Sequence, residues 1–201
     1  MKVNLLSIGY GNIPAFETML NDLMYPYKTI KNIEDAEEGV LLIPGVGSIS
    51  SAIPYFKESK KKFLVNYAVK NNIIGICLGF QLLTRYSEED GGFHCLSIFN
   101  KDTKKINSNQ KSHSAWEKFS LTKSFLNQNG FIPRFNRSMK HKICGRVFYN
   151  HEYGVSLDKS SLQIASHINF SSITVKNNFM GIQFHPEKSQ KFGLEFLRFI
   201  L

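Results

Sequence analysis

The segment Ile73–Gln81 constrains the fold more than any other part of the chain. An apolar run, Ile73–Ile76, enters a Gly-x-Cys-x-Gly motif centred on Cys77, and apolar residues resume directly after Gln81. This pattern predicts a buried strand, a sharp turn and a helix. Glycines two positions before and after Cys77 remove the Cβ atoms that would obstruct so tight a turn. We therefore expect an exposed, strained cysteine at a helix N-terminus.

A cysteine in that position is suited to nucleophilic chemistry. The same spacing around a serine forms the strand-to-helix turn that presents the nucleophile of α/β-hydrolases. Unpaired N–H groups and the positive end of the helix dipole favour a thiolate there. The N–H of Leu78 would be placed to stabilise an oxyanion. The alternative is a buried structural cysteine, since free cysteines are often buried.

Length and composition bound the class of protein. The 201 residues are enough for a proper core, and we expect one domain over residues 1–201. The cysteines number three, at unrelated spacings and without a CxxC pair, which favours a reducing, cytoplasmic setting without disulfides. We expect no secretory signal and no membrane span, because no apolar stretch is long enough.

The basic charge has several possible explanations. The chain carries 25 Lys and Arg against 16 Asp and Glu, a formal charge of +9. Its lysines are scattered, so a solvated basic face or an acidic partner protein explains the charge better than nucleic acid does. The lysine-rich segments are Lys57–Lys62, Lys101–Lys111, Lys118–Lys142 and Lys188–Lys191.

Strands and helices alternate in the first half of the chain, and strands dominate the second. This order predicts an α/β fold with a mainly parallel central sheet flanked by helices and a β-rich C-terminal part. The first predicted elements are a strand at Val3–Ile8, a helix capped by Asn12 and running through Met24, strands at Tyr27–Ile30 and Gly39–Ile43, and a helical pattern over Ile53–Val69 broken near Pro54. The later ones are strands at Leu96–Phe99, Trp116–Leu121, Arg146–Tyr149, Gln163–His167, Ser172–Lys176 and Phe179–Phe184, a hairpin turn at Lys176–Asn178, and a helix over Gln190–Leu201.

Three predicted strand ends carry loops of functional interest. These loops are Gly9–Asn12, Pro44–Ser48 and the turn at Cys77. Because carboxyl ends of parallel strands meet at one edge of a sheet, we expect them to converge on one crevice. Gly9–Asn12 resembles a phosphate-binding loop only weakly, because it lacks the full pattern of such loops.

Two further segments carry histidines. Pro186 favours an extended His185, and alternation along an extended chain would put His185 and Glu187 on one side. If that strand ends beside Cys77, the result is a nucleophile, a base and a residue that orients the base. The segment His113–Trp116 also has residues able to do more than pack, although a satisfied histidine beside a core tryptophan is the simpler interpretation.

Taken together, the motifs resemble those of class I glutamine amidotransferases. The resemblance spans essentially the whole chain and implies that family's flavodoxin-like fold. Pro-Gly-Val-Gly is the loop form of one branch, the glutaminase subunits of imidazole glycerol phosphate synthase. The segments that match the family are Pro44–Gly47, Gly75–Gln81 and Phe184–Ser189. The segments that also resemble that branch are Gly9–Ile13, His113–Trp116, Tyr149–Tyr153 and Lys188–Ser189.

Site roles follow from this resemblance, residue by residue. It implies a triad of Cys77, His185 and Glu187, oxyanion donors from Val46, Gly47 and Leu78, glutamine contacts at Gly45, Gly47, Gln81, His151, Glu152 and Tyr153, and a partner-facing surface with Asn12, Trp116 and Lys188. It implies no cofactor and no metal. The implied reaction is hydrolysis of glutamine to glutamate and ammonia. The ammonia would pass, within a heterodimer, to a (β/α)8-barrel synthase of histidine biosynthesis.

Three residues depart from the branch's common pattern. Ala115 and Glu117 stand in the segment that is commonly His-x-Gly-Trp-Asn, and they alter the partner-facing surface. Glu152 stands where Ser or Thr is common, and an inward carboxylate there would repel the substrate carboxylate. These departures leave open the alternative that the chain is a related glutaminase, one that supplies ammonia to a sugar-amidinating enzyme of surface-polysaccharide synthesis.

Two other functions fit the same scaffold. One is a free-standing cysteine γ-glutamyl hydrolase, against which the Val-Gly form of the loop argues. The other is a non-catalytic binding module, which would have no reason to keep a complete triad and a bare Pro44–Gly47 loop.

Overall fold

The computed structural model describes residues 1–56, 58–106, 112–135, 140–165 and 168–201. Its helices are α1 (Ile13–Asp22), α2 (Ile49–Ala52), α3 (Glu58–Tyr67), α4 (Leu78–Leu82), α5 (Lys123–Gln128) and α6 (Gln190–Ile200), with short 3-10 helices at Ile33–Asp35, Ile53–Tyr55, Glu89–Gly91 and Pro186–Lys188. Its strands are β1 (Lys2–Leu6), β2 (Tyr27–Ile30), β3 (Gly39–Ile43), β4 (Asn72–Ile76), β5 (Tyr86–Ser87), β6 (Phe93–His94), β7 (Asp102–Lys105), β8 (His113–Thr122), β9 (Lys142–His151), β10 (Tyr153–Val155), β11 (Ser161–Ala165), β12 (Ile168–Lys176) and β13 (Phe179–Ile182).

A mainly parallel sheet forms the centre of the molecule. Its order is β11-β12-β13-β4-β3-β1-β2, and the five strands from β13 to β2 are parallel. The antiparallel strands β12 and β11 extend one edge. The predicted sheet is therefore confirmed, and its carboxyl edge collects the loops after β3, β4 and β13.

Both faces of this sheet are buried, as expected for strands flanked by helices. Val40 and Leu42 of β3 point into one core, which contains the apolar faces of α1 and α6. Leu41 and Ile43 point into the other, which Leu64 of α3 joins. Alternate residues of β3 therefore pack against the helical layers on opposite faces of the sheet. This packing fixes the position of the strand, and with it the loop at its carboxyl end.

Two smaller sheets complete the described structure. The long antiparallel ribbon β8–β9 packs against α6, where Phe192 fills the space that a side chain at Gly145 would need. The second sheet has the order β10-β7-β5-β6. Only Glu152 separates β9 from β10, so the chain passes from one small sheet to the other at His151–Tyr153.

Several predicted elements of the first half have different bounds. The first strand ends at Leu6, and α1 ends at Asp22, before Met24 adopts a left-handed φ of 54°. Asn12 occupies the N-cap position, but its side chain makes no capping hydrogen bond. The break near Pro54 is confirmed, because a 3-10 turn there separates α2 from α3.

The predicted strand Leu96–Phe99 is wrong. This segment is a buried loop whose backbone N–H groups bond to the end of α4 instead of to a neighbouring strand. Leu96 donates to Leu82 O, and Ile98 donates to Leu83 O. A short apolar run is compatible with either arrangement, and tertiary contacts decide between them.

The C-terminal predictions are largely confirmed. Trp116–Leu121, Arg146–Tyr149 and Ser172–Lys176 lie within β8, β9 and β12, and α6 is the predicted last helix. The hairpin turn is confirmed, with Lys176 paired to Phe179 and Asn177 at φ 52°. The strand predicted at Phe179–Phe184 ends at Ile182, and the one predicted at Gln163–His167 is Ser161–Ala165, with 166 and 167 outside the described residues. Three of the lysine-rich segments are also described only in part, because residues 57, 107–111 and 136–139 lie outside the described residues.

Candidate active site

Cys77 lies in a strained turn between β4 and α4. Its backbone has φ 52° and ψ −105°, a conformation that residues with a Cβ rarely adopt. A Cβ on Gly79 would lie 1.9 Å from Ile43 O, so only glycine permits this approach. The Cys77 N–H donates to Ile182 O at 2.7 Å, which ties the turn to β13. The predicted strained turn is confirmed, although Cys77 is only 8% exposed rather than freely exposed.

His185 and Glu187 form a buried hydrogen-bonded pair beside this turn. His185 Nδ1 donates to Glu187 Oε1 at 2.8 Å, and both side chains are 2% exposed. The predicted pairing is present, and His185 is extended as predicted, with φ −103° and ψ 97°. Glu187, however, lies in a 3-10 helix at Pro186–Lys188, so this turn and not alternation along a strand brings the two side chains together. The backbone N–H of His185 donates to Phe148 O, and this bond anchors the segment to β9. Since Nδ1 is engaged, Nε2 is the ring atom left to face Cys77.

The charges of this cluster determine the protonation of His185. Burial of the ring opposes its protonation, but hydrogen bonds with Cys77 and Glu187, and the charges of both groups, raise the pKa of His185 to about 10. The ring is therefore an imidazolium at neutral pH, held between a sulfur atom and a carboxylate. Such a group can donate a proton to a leaving group and stabilise a neighbouring thiolate.

A cavity of about 530 Å³ opens over Cys77. That volume suits a small-molecule ligand. The predicted site residues that line the cavity are Val46, Gly47, Cys77, Leu78, Gln81, His151, Glu152, Tyr153, His185 and Lys188. The carboxyl edge of the central sheet therefore brings together residues from distant parts of the sequence. The predicted convergence holds for the Pro44–Ser48 loop and the Cys77 turn, whereas no residue of Gly9–Asn12 lines the cavity.

Four predicted site residues lie outside this lining. Glu187 lies behind His185, and Gly45 packs against the start of α4, where a Cβ would lie 2.7 Å from Leu78 Cβ. Asn12 lies at the start of α1. Trp116 packs on Phe148 at 5.6 Å between ring centroids and borders a separate groove.

The loop after β3 lines the cavity through Val46 and Gly47. Gly47 has φ +115°, in the left-handed region that favours glycine, and Val46 is 37% exposed. On the other side of Cys77, Leu78 is the first residue of α4, and the N–H groups of a first helical turn have no partner within the helix. Both segments line the cavity with Cys77, so their N–H groups are candidates for an oxyanion site.

A chain of hydrogen bonds holds the segment that joins β9 to β10. Tyr153 O accepts from Gln81 Nε2 at 3.2 Å and from His151 Nδ1 at 2.8 Å. His151 Nε2 is then an acceptor, 3.2 Å from His113 Nδ1, and His113 Nε2 lies 3.4 Å from Glu117 Oε1. Burial first, and then the fields of His113 and His185, lower the pKa of His151 to about 3, so its ring is neutral. His113 is thus the satisfied, buried histidine of the simpler interpretation, although Trp116 is only partly buried.

Comparison with known proteins identifies the family. The family model for class-I glutamine amidotransferases matches residues 16–199. This chain belongs to the class I glutamine amidotransferases. It is accordingly an enzyme with glutaminase activity, which excludes a non-catalytic binding module.

The curated relatives of this amidotransferase include proteins named imidazole glycerol phosphate synthase subunit HisH. The protein of that name from Buchnera aphidicola subsp. Acyrthosiphon pisum is 33% identical, over 98% of this chain and 97% of the relative. The one from Bacteroides fragilis is 30% identical, over 96% and 95%. The predicted resemblance to this branch of the amidotransferases is therefore confirmed over nearly the full length.

Solved structures support the same fold. A glutamine amidotransferase crystal structure superimposes with a TM-score of 0.64 at 13% identity and covers 98% of this chain and 97% of that one. The structure of PurLQS from Thermotoga maritima gives a TM-score of 0.63 at 16% identity, with coverages of 98% and 96%. At these identities the likeness establishes the fold alone.

Sequence reasoning missed two carboxylates that line the amidotransferase's cavity. Glu89 and Asp90 lie in a 3-10 turn after β5, with Asp90 at φ 53° and its Oδ2 accepting from Ser50 Oγ at 2.5 Å. Burial, and then the charge of Asp90, raise the pKa of Glu89 to about 7. The signal was an acidic run that ends in two glycines soon after the Cys77 turn.

Other features of the amidotransferase bear on what the site can hold. Among the described residues, no group of three or more His, Cys, Asp or Glu side chains is arranged to hold a metal ion. The helices in the described ranges are too short or too polar to cross a membrane.

Proposed function

We propose that this amidotransferase is the glutaminase subunit of imidazole glycerol phosphate synthase, in the cytoplasm, folded as one domain over residues 1–201. The observation that carries the proposal is a strained Cys77 that opens on a cavity beside the buried His185–Glu187 pair. The full-length similarity to proteins named HisH supports the partner, a (β/α)8-barrel synthase subunit in a heterodimer, and the histidine pathway.

The first chemical step forms a thioester. The Cys77 sulfur attacks the side-chain amide carbon of glutamine, and the electrons of the carbonyl double bond move to oxygen. Backbone N–H groups of Leu78 and of the Val46–Gly47 loop stabilise that oxyanion. The tetrahedral intermediate collapses with cleavage of the C–N bond, and the His185 imidazolium donates a proton to the nitrogen, which leaves as ammonia.

The second step hydrolyses the thioester. Neutral His185 now accepts a proton from water as the water oxygen attacks the thioester carbon. Collapse expels the Cys77 thiolate and releases glutamate, which restores the imidazolium–thiolate pair. Glu187 holds the His185 ring with Nδ1–H directed away from the sulfur, so the same Nε2 serves both steps.

The cavity supplies groups for both ends of glutamine's amino-acid moiety. Glu89, assisted by the charge of Asp90, is the acceptor proposed for the α-ammonium group. The N–H groups of the His151–Tyr153 segment are the donors proposed for the α-carboxylate, and Gln81 fixes that segment through Tyr153 O. The Glu152 side chain is exposed and also lines the cavity, so the proposed contact to the α-carboxylate is made by the backbone of its segment and not by this carboxylate.

Replacing Glu89 with Gln is expected to raise KM for glutamine about tenfold and to change kcat by less than about twofold, because one charge-assisted contact in the ground state is lost. Since the pKa of Glu89 is about 7, the wild-type KM should also rise as the pH falls below 7 and the carboxylate is protonated. That pH dependence should disappear in the variant. Steady-state kinetics across this pH range measure both effects.

Glu88→Gln is the matched control for this variant. The Glu88 carboxylate accepts from the Lys105 N–H at 3.0 Å and does not line the cavity. Its KM should follow the wild-type curve. If Glu89→Gln had the wild-type KM for glutamine at every pH, Glu89 would not be a substrate-binding residue.

The chain alone is expected to be a slow glutaminase that its partner activates. Gly47 can rotate its peptide group at little steric expense, so one oxyanion donor can point away until the synthase docks. Loss of one such donor typically lowers the rate by about 10²–10³-fold. Lys188, which follows Glu187 and lines the cavity, is the residue proposed to couple the interface to the site.

Ammonia release should therefore be measured for the chain alone, with the synthase subunit, and with the synthase subunit plus its ribonucleotide acceptor. We expect the rate to rise by about 10²–10³-fold from the first state to the last. Equal rates in all three states would contradict gating and favour a free-standing γ-glutamyl hydrolase. If only a sugar-amidinating enzyme activated the chain, the glutaminase assignment would stand, but the pathway would be surface-polysaccharide synthesis and not histidine biosynthesis.

A further inference from the structure

The side chain of Gln183 is fully buried beside the nucleophile. Gln183 follows β13, whose last residue Ile182 lies opposite Ile76 of β4, so the chain places Gln183 next to Cys77. Its Nε2 lies 3.8 Å from Cys77 Sγ, within range of an N–H···S hydrogen bond. Its backbone N–H donates to Ser172 O at 2.9 Å, which fixes its position.

The oxygen of the same amide indicates that Gln183 is present for its contact with Cys77 and not for stability. Among the described residues, Gln183 Oε1 has no hydrogen-bond partner, although it is buried. An unpaired buried acceptor destabilises a fold, and an apolar residue of the same length would avoid it. Exchanging the two ends of the amide would set Oε1 against the electron-rich sulfur. The donor is therefore the end that faces Cys77.

We propose that Gln183 is a positioning residue, which donates its side-chain N–H to the Cys77 sulfur and so stabilises the thiolate and directs it toward the cavity. His185, which also hydrogen-bonds with Cys77, supplies a second donor to the sulfur. A hydrogen bond to a charged acceptor is stronger than one to a neutral acceptor, so the contact favours the thiolate over the thiol. This inference rests on the proposed role of Cys77 as nucleophile.

Gln183→Met tests this role, because Met keeps the length of the side chain while removing both the donor and the unpaired acceptor. We expect the free energy of unfolding to stay the same or increase. The midpoint of the pH profile for alkylation of Cys77 by iodoacetamide should rise by about one pH unit, and kcat should fall about tenfold with little change in KM. Mass spectrometry of the Cys77 peptide separates its alkylation from that of Cys95 and Cys144.

Asn72→Leu is the matched control at the opposite end of β4. Its buried amide donates to Ile132 O at 2.8 Å and accepts from Arg134 at 3.4 Å, so both of its ends are paired. This variant should lose stability and keep the Cys77 profile. Gln183→Glu gives a second test, because it places acceptors against the sulfur and should raise the midpoint further.

The outcomes separate a positioning role from a structural one. A wild-type alkylation profile in Gln183→Met, with or without a loss of stability, would overturn the proposal. If Gln183→Met does not fold, a wild-type profile in Gln183→Glu would overturn it equally. Alkylation needs neither glutamine nor the synthase, so these results are independent of whether the proposed pathway is correct.

Discussion

Replacing Cys77 with alanine is expected to abolish glutamine hydrolysis, with a loss of at least about 10⁴-fold in kcat. No thioester can form without the sulfur, and His185 has no nucleophile to serve. The side chain is small and lies in a turn fixed by glycines and by β13, so the fold and partner binding should be unchanged. Ammonia release from the variant in complex with the synthase subunit measures the effect.

The other cysteines provide controls for this experiment. Cys144 is exposed on β9, and Cys95 lies in the loop after β6, where burial raises the pKa of its thiol to about 11. Alanine at either position should leave glutaminase activity close to wild type. Full ammonia release from Cys77→Ala, at wild-type partner affinity, would remove Cys77 from the chemistry.

The second large effect is expected for Glu187→Gln, with a fall in kcat of about 10³–10⁴-fold. Gln keeps the shape of the side chain but can present an N–H to His185 Nδ1, which selects the wrong tautomer. It also removes a charge that helps to raise the pKa of His185 to about 10. The protonated ring is the acid for ammonia departure, so the alkaline limb of the pH–rate profile should move to lower pH in the variant.

A surface carboxylate provides the comparison for Glu187. Glu195 of α6 forms an exposed ion pair with Lys140, away from the cavity lining. Glu195→Gln should have wild-type kcat and a wild-type pH profile. If Glu187→Gln had the same kcat as the wild type at saturating glutamine, the triad would be a dyad of Cys77 and His185.

The turn at Cys77 could be predicted because its geometry is encoded locally. A strand that reverses into a helix within a few residues leaves no room for side chains on either flank, and Gly79 meets Ile43 O closely enough to make glycine necessary. The parallel sheet was predictable for a related reason. The inner strands β1, β3 and β4 each have an apolar run, and such runs alternating with helices favour parallel pairing.

Other parts of the site depend on contacts that no local pattern records. Glu89 becomes a cavity residue only because the 3-10 turn after β5 folds against α2. Gln183 meets Cys77 only through the pairing of β13 with β4. The bond between His113 and His151 depends on the register of the β8–β9 ribbon, which pairs these two residues directly.

Transfer of the amide nitrogen tests the proposed function most directly. The chain and its synthase subunit should be supplied with the ribonucleotide acceptor, glutamine labelled with nitrogen-15 in its side-chain amide, and an excess of unlabelled ammonium in the buffer. We predict that the label appears in the imidazole product, and that Cys77→Ala incorporates only unlabelled nitrogen. Unlabelled product from the wild-type complex, or label found only as free ammonium, would contradict the account.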